Sequence, residues 1–311
     1  MSRLRAVKPE LIQKRFKALF YGKAGAGKTT AAIQFPKPYL IDTERGAENK
    51  DYVEKLEARG GVVFQTVDFD EIIAEITALL TEKHDYKTLI IDSLTPIFED
   101  LCEKWAKKLA TTDAKGNMKS DGMEFSRHKD RAGIQIKHLY RLLLRLDMNV
   151  IITSHSKSEW QKDGKEMVEV GQTFDCYKKM DFLFDVLFHI KKITPTERIA
   201  IITKTRLKDE FPDGTVMPFS YEEIANRYGK ELIERDMIPE TLATSSQVSE
   251  LNQLIKLLNV PVDTTEKWLK KANAENFSEM NTQIIQKCID SLKEKVNASA
   301  NDHTSHQTQN Q

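Results

Sequence analysis

Apolar positions along this chain follow two rhythms, and their order predicts the architecture. Short, nearly continuous apolar runs fall at residues 16–21, 39–42, 61–67, 87–92 and 149–154. Each is strand-length, and the run at 87–92 ends in a carboxylate. Between them, residues 69–80 carry Ile72, Ile73, Ile76, Leu79 and Leu80 at helical spacing, and a long, mostly helical stretch with a polar loop near 111–121 precedes the run at 149. Buried strands alternating with helices predict an α/β fold with a mainly parallel central sheet covered on both faces. Residues 182–190 and 198–203 are rich in β-branched residues and read as late strands, expected to be antiparallel.

From about residue 243 the rhythm changes. Thr244-Ser-Ser-Gln247 reads as a capping box, followed by Val248, Leu251, Leu254, Ile255 and Leu258 at helical spacing. A second helix opens at Asp263 and bears Trp268 and Leu269; Ile284, Ile285, Cys288, Ile289 and Leu292 mark a third. The expected organisation is a basic N-terminal segment at 1–16, a core at 17–240 and a small C-terminal helical module at 244–296. Residues 297–311 are polar, low in complexity and expected to be disordered.

The link between the first apolar run and the next helical segment carries the chemistry. Residues 22–29 read GKAGAGKT and fit the phosphate-loop pattern G-x-x-x-x-G-K-[ST] without departure, between a strand and a helix that ends at Pro36. Gly22, Lys23, Ala24, Gly25, Ala26 and Gly27 are expected to fold into a nest of inward N–H groups, with Lys28, Thr29 and Thr30 at the helix start. Lys28 would bring charge to the phosphates and Thr29 a hydroxyl to Mg²⁺. A nucleoside triphosphate, ATP with Mg²⁺, is the expected ligand.

Composition narrows the setting. No run reaches the roughly 18 apolar residues needed to span a membrane, and the N-terminus lacks the apolar core of a signal peptide. Cys102, Cys176 and Cys288 have no metal-ligand spacing and suit buried thiols in a reducing cytoplasm. Basic and acidic residues both total 47, which argues against a protein that coats nucleic acid by charge alone. Local basic stretches remain. Arg3, Arg5, Lys8, Lys14, Arg15 and Lys17 face one Glu10, and Arg127, Lys129, Arg131, Lys137, Arg141 and Arg145 face Asp130.

Two carboxylates follow strand ends. Asp92 ends the run at 87–92, at the carboxyl edge of the sheet where a phosphate-loop site needs a Mg²⁺ partner. Glu44 lies just past residues 39–42, where a group that orients the attacking water is needed. With these residues the chain resembles the RecA superfamily across residues 17–221. IDTE at 41–44, followed by Arg45-Gly46, is similar to that superfamily's strand-end motif, whose Glu activates water. TLIIDSLT at 88–95 is similar to its Walker B strand. In VIITSHSK at 150–157, His155 takes the place of the polar γ-phosphate sensor. IITKTRLKDEF at 201–211 resembles the late K-x-R strand whose basic pair, here Lys204 and Arg206, reaches a neighbour's nucleotide. No obvious arginine finger accompanies the phosphate loop itself.

Within the superfamily the likeness is nearest to small phage ATPases of recombination and single-strand annealing. It implies a RecA-like ATPase stimulated by single-stranded DNA and assembled as a homo-oligomer, ring or filament, with a single-strand-binding or annealing protein as a further partner. It also implies that loops at 111–130 and 156–179 hold the DNA. The second contains Trp160, Phe174 and Tyr177 among Lys157, Lys162, Lys165, Lys178 and Lys179, a mix suited to base stacking and phosphate contact, though acids balance its charge. A ring-shaped DNA motor of the same superfamily and a regulatory ATPase switch without DNA binding are the alternatives.

Overall fold

The computed structural model describes residues 14–112, 118–164, 166–182 and 184–307. In chain order the strands are β1 (Lys17–Gly22), β2 (Pro38–Asp42), β3 (Val62–Gln65), β4 (Thr88–Asp92), β5 (Thr111–Thr112), β6 (Met118–Ser120), β7 (Asn149–Asp163), β8 (Glu166–Phe174), β9 (Val186–Lys192), β10 (Arg198–Thr205) and β11 (Val216–Pro218). The helices are α1 (Lys28–Ala32), α2 (Lys50–Ala58), α3 (Phe69–Thr81), α4 (Leu94–Leu109), α5 (Arg127–Arg145), α6 (Tyr221–Tyr228), α7 (Lys230–Glu234), α8 (Ser245–Leu257), α9 (Val262–Ala272) and α10 (Thr282–Gln307). Among the described residues no helix is long and apolar enough to cross a membrane.

The main sheet runs β11-β10-β9-β1-β7-β4-β2-β3, with β8 paired to β7. Every pairing from β9 to β3 is parallel, as the doubly buried apolar runs require. Of the two late strands expected to be antiparallel, β10 is, but β9 runs parallel to β1. The elements from Val216 to Glu234, which sequence periodicity did not separate, add an edge strand and two short helices. One face of β1, β9 and β10 packs Phe16, Phe20, Phe188, Ala200 and Ile202 against Ala31, Ala32 and Phe35 beside α1. Phe20 meets Phe188 and Phe219 edge-on at centroid distances of 5.4 and 5.0 Å, a favoured aromatic geometry.

The chain divides into two compact units. The first, Met1–Ala74, His84–Ile136 and Asp147–Met237, holds the sheet; the second is Glu75–Lys83, Lys137–Leu146 and Ile238–Gln311. In the second, the capping box at Thr244 and Gln247 forms, and Leu251, Met280, Ile285, Ile289 and Leu292 are buried together. Arg145 pairs with Glu240 at 2.9 Å, and Arg141 pairs with Glu275. The polar segment expected to be disordered from residue 297 instead continues α10 to Gln307; residues 308–311 lie outside the described residues. Helix propagation adds one backbone hydrogen bond per residue fixed and tolerates a polar sequence.

Three further expectations are corrected. The segment at 156–179 is largely a hairpin rather than a loop: β7 runs on to Asp163 and β8 returns antiparallel, from Asp163↔Glu166 to Ser156↔Phe174. The β-branched and aromatic residues Trp160, Val168, Val170 and Phe174 favour extended backbone, and Gly164 supplies the left-handed turn at φ +60°. Two of its three aromatics face inward. Phe174 is buried edge-on to Tyr21, and Tyr177 lies over Gly133 of α5, where a Cβ would come within 2.5 Å of the ring. Trp160 alone of the three is largely exposed, at 54%. Within the basic N-terminal stretch, Arg3, Arg5 and Lys8 lie outside the described residues. Arg15 and Lys17 are buried. Arg15 reaches Asp147 at 3.3 Å and the carbonyls of Leu232, Arg235 and Asp236, a structural staple rather than a free cation.

Candidate functional site

Sheet order brings the candidate residues to one edge. β7 lies between β1 and β4, with Gly22 beside His155 and Ile91 beside Ile152, so the phosphate loop, Asp92 and His155 sit on adjacent strand tips. β2 lies beyond β4, with Asp42 beside Asp92. Parallel strands all present their carboxyl ends here, which is where α/β folds bind ligands.

The loop has the shape its glycines allow. Gly25 and Gly27 take φ of +71° and +94°, left-handed values that a Cβ would strain, and Gly27 caps α1. The Lys28 amine donates to the Gly22 carbonyl at 2.9 Å and the Lys23 carbonyl at 3.2 Å, inside the loop. Burial lowers its proton affinity, against the opposing pull of Asp92 and Glu44.

The Thr29 hydroxyl donates to Asp92 Oδ2 at 2.6 Å, and the Thr153 hydroxyl donates to Oδ1. Burial raises the Asp92 carboxyl pKa. The hydrogen bonds from Thr153 and Thr29 and the charge of Lys28 pull it down, and Glu44 adds to the rise. One hydroxyl and one carboxylate at the tip of the loop are hard oxygen donors of the kind Mg²⁺ takes. Among the described residues no group of three or more His, Cys, Asp or Glu could hold a metal alone. The donor set therefore fits a Mg²⁺ that shares its ligands with bound phosphates, held by Thr29 and Asp92.

Glu44 is aimed by its neighbours. Asp42 is buried, and its Oδ1 accepts from the backbone N–H of Glu44 at 3.1 Å and of Gly46 at 3.3 Å, which turns the chain out of β2. The Thr43 hydroxyl donates to the Ser93 carbonyl at 2.9 Å and accepts from its N–H at 2.8 Å, locking the β2 tip to the β4 tip. Glu44 Oε1 then accepts from the Ser93 hydroxyl at 2.6 Å and from His155 Nε2 at 2.8 Å. This bond pairs a carboxylate, which accepts when ionised, with the imidazole tautomer that carries its proton on Nε2. Glu44 Oε2 has no hydrogen-bond partner among the described residues and can accept from water.

His155 is joined to the root of the hairpin. The Thr95 hydroxyl accepts from the His155 N–H at 3.1 Å and donates to the Asp175 carbonyl at 2.9 Å, while the Asp175 N–H donates to the His155 carbonyl at 2.8 Å. Lys157 pairs with Asp175 at 2.7 Å.

Lys204 and Arg206 are not brought to this edge. Lys204 lies beside Leu187 and Thr205 beside Val186, while Val186 pairs with Ala18 near the start of β1. They thus lie away from the β1 tip that carries their own phosphate loop, Lys204 level with the middle of β1 and Arg206 near its start. The Lys204 amine donates to the Phe184 carbonyl, and burial lowers its proton affinity. Arg206 is half-exposed near Asp185, at 3.8 Å. An arginine does approach the loop, contrary to expectation. Arg198, at the other end of the same strand, lies against Gly27. Only strand pairing across β9 brings the two together, and no sequence motif marks it.

A complete phosphate loop, a paired Thr–Asp oxygen set and a water-facing glutamate on a parallel sheet define a phosphate-loop nucleoside triphosphatase. Residues 14–211, well over half of the chain, match the family described as AAA domain, and the chain belongs to that family. Membership implies nucleotide binding and hydrolysis. No curated protein matches the chain.

Proposed function

We propose that this chain is a RecA-like ATPase that acts on single-stranded DNA, in recombination or strand annealing of the phage type, as a homo-oligomer. One observation carries the reading: the strand that bears His155 at the nucleotide edge continues directly into an exposed hairpin. Trp160 stands on that hairpin beside a cavity of ≈ 760 Å³ that is also lined by Lys157, Met167 and Lys204. Aromatic and cationic groups side by side suit bases and phosphates.

ATP with Mg²⁺ supplies the scissile phosphoanhydride and the charge that fixes it. Lys28 and the loop amides neutralise phosphate oxygens, and Thr29 and Asp92 hold the cation. Glu44 accepts a proton from water and aims it, with Ser93 and His155 fixing the carboxylate. Any shift of Glu44 or His155 between nucleotide states reaches the hairpin through Thr95 and Asp175, a coupling that would make DNA affinity depend on nucleotide.

The test is ATP turnover with and without single-stranded oligonucleotide, alongside oligonucleotide binding with ADP, ATP or neither. Stimulated turnover and nucleotide-dependent binding are expected. A protein that hydrolyses ATP but neither binds the oligonucleotide at moderate salt nor responds to it would be a regulatory ATPase instead.

A further inference from the structure

Gly27 of the phosphate loop faces an arginine from another part of the chain. A Cβ built on Gly27 would stand 2.7 Å from Arg198 Nε and 2.9 Å from its Cδ. Arg198 opens β10 beside Lys192, and β9 runs parallel to β1 with His189 beside Tyr21. The start of β10 is therefore at the loop's edge of the sheet. Alternate residues of a strand share a face, so Arg198 lies on the side of Ala200 and Ile202, which are buried with Ala31 and Ala32. Its backbone is fixed, because the Phe219 N–H donates to the Arg198 carbonyl at 3.0 Å.

The side chain is fixed far less. A guanidinium carries five N–H donors and is always charged. Among the described residues Arg198 has one acceptor, the Pro195 carbonyl at 2.9 Å from Nη1, and no carboxylate forms an ion pair with it. Arg15 shows how this protein employs a structural arginine: its donors reach Asp147 and three carbonyls. Arg198 instead holds unspent donors beside a glycine of the phosphate loop, its stem filling the space a side chain on Gly27 would take.

We propose that Arg198 is a phosphate-binding residue of its own chain's nucleotide site, holding the part of the polyphosphate that ADP and ATP share. Sheet order sets which part. β10 and β9 lie on one side of β1, whereas β7, β4 and β2, which bear His155, Asp92 and the approach to Glu44, lie on the other. Water is aimed from the second side, so Arg198 serves the end away from the attacked phosphate. It therefore contributes to binding ADP and ATP alike, and does so without a neighbouring subunit. The proposal rests on the phosphate-loop reading.

The experiment is calorimetric titration of Mg-ADP and of Mg-ATP, the latter with a slowly hydrolysed analogue, into wild type, Arg198→Met, Arg198→Gln, Arg198→Lys and Lys28→Ala. Melting temperatures without nucleotide are measured in parallel. Arg198→Met keeps the stem over Gly27 and should melt like wild type, while weakening both nucleotides by about tenfold or more, the scale of lost charge-assisted bonds. Arg198→Lys should recover part of that loss. If Arg198→Met melts early, Arg198→Gln decides by the same criterion. Unchanged ADP affinity with Lys28→Ala inactive overturns the role of Arg198 and leaves the loop reading standing. Loss for the ATP analogue but not ADP overturns the assignment to the shared phosphates. Normal binding by Lys28→Ala removes the loop reading and this proposal with it.

Discussion

His155 and Glu44 emerge from strands separated by β4, yet His155 Nε2 and Glu44 Oε1 stand 2.8 Å apart. The contact exists because Glu44 lies past the end of its strand, on a turn held by Asp42, and can lean across the β4 tip over Ser93. The Glu44 carboxylate and the strand that continues into the hairpin thus share one hydrogen bond.

Glu44→Gln should retain nucleotide binding and slow hydrolysis by about 10²-fold or more, the scale of general-base loss. Asp42→Asn should be much milder, because the amide oxygen still accepts from the Glu44 and Gly46 N–H groups. Single-turnover kinetics on both variants decide the matter. A severe Asp42→Asn with a mild Glu44→Gln would mean that the wrong carboxylate has been assigned.

Lys28→Ala should abolish nucleotide binding with the fold intact, since Gly25 and Gly27 supply the loop's left-handed turns and water can take over the two carbonyls that the amine holds. Far-ultraviolet circular dichroism and nucleotide titration measure the two halves. Turnover equal to wild type would sink the phosphate-loop assignment.

Trp160→Ala should weaken single-stranded DNA binding by about tenfold or more, because stacking contributes roughly 1–3 kcal/mol per base. Added salt should weaken wild type and variant alike through counterion uptake. Fluorescence anisotropy of a labelled oligonucleotide is the readout, and equal affinity in the two proteins would place the DNA elsewhere.

Lys204 and Arg206 lie toward the end of the sheet away from their own loop, and the expected share of this pair in hydrolysis is at a neighbour's site. Arg206→Ala should bind ATP normally and hydrolyse it poorly, by about 10³-fold or more, as when a finger supplied in trans is lost. Mixing it with Lys28→Ala should restore activity at mixed interfaces. Mixtures that never exceed the sum of their parts, with turnover per subunit independent of concentration, would end this assignment.

Lys17 gives the stability a pH signature. Burial lowers its amine to about 7, against the attraction of Asp185 and Asp147. Below that pH the amine is charged in both folded and unfolded chains, and the cost of burying the charge is fully present. Between about 7 and the ordinary value of 10.5 the unfolded chain holds more protons, so stability rises with pH. Lys17→Met should flatten that rise. Urea midpoints from pH 6 to 10 check it, and parallel curves for the two proteins would refute it.

The sequence by itself determined the elements and the local chemistry. Residues 22–29 carry the whole phosphate-loop pattern in one short stretch of chain, and the strand ends at Asp42 and Asp92 follow from apolar runs that stop at a carboxylate. Periodicity also separated the helical segments after residue 243. What the sequence left open depended on pairing across strands. The β-propensity of residues 156–174 was present but masked by alternating charge, so only the observed register shows a hairpin, with Phe174 and Tyr177 turned inward and Trp160 outward. The direction of β9 and β10 decided the rest. Two basic positions a few residues from Arg198 looked more telling by motif, but an antiparallel strand carries its two ends to opposite edges of the sheet. Tertiary structure therefore put Arg198 against Gly27 and moved Lys204 and Arg206 away, because the distance between strand ends is set by backbone rise and strand direction, which residue identity does not encode.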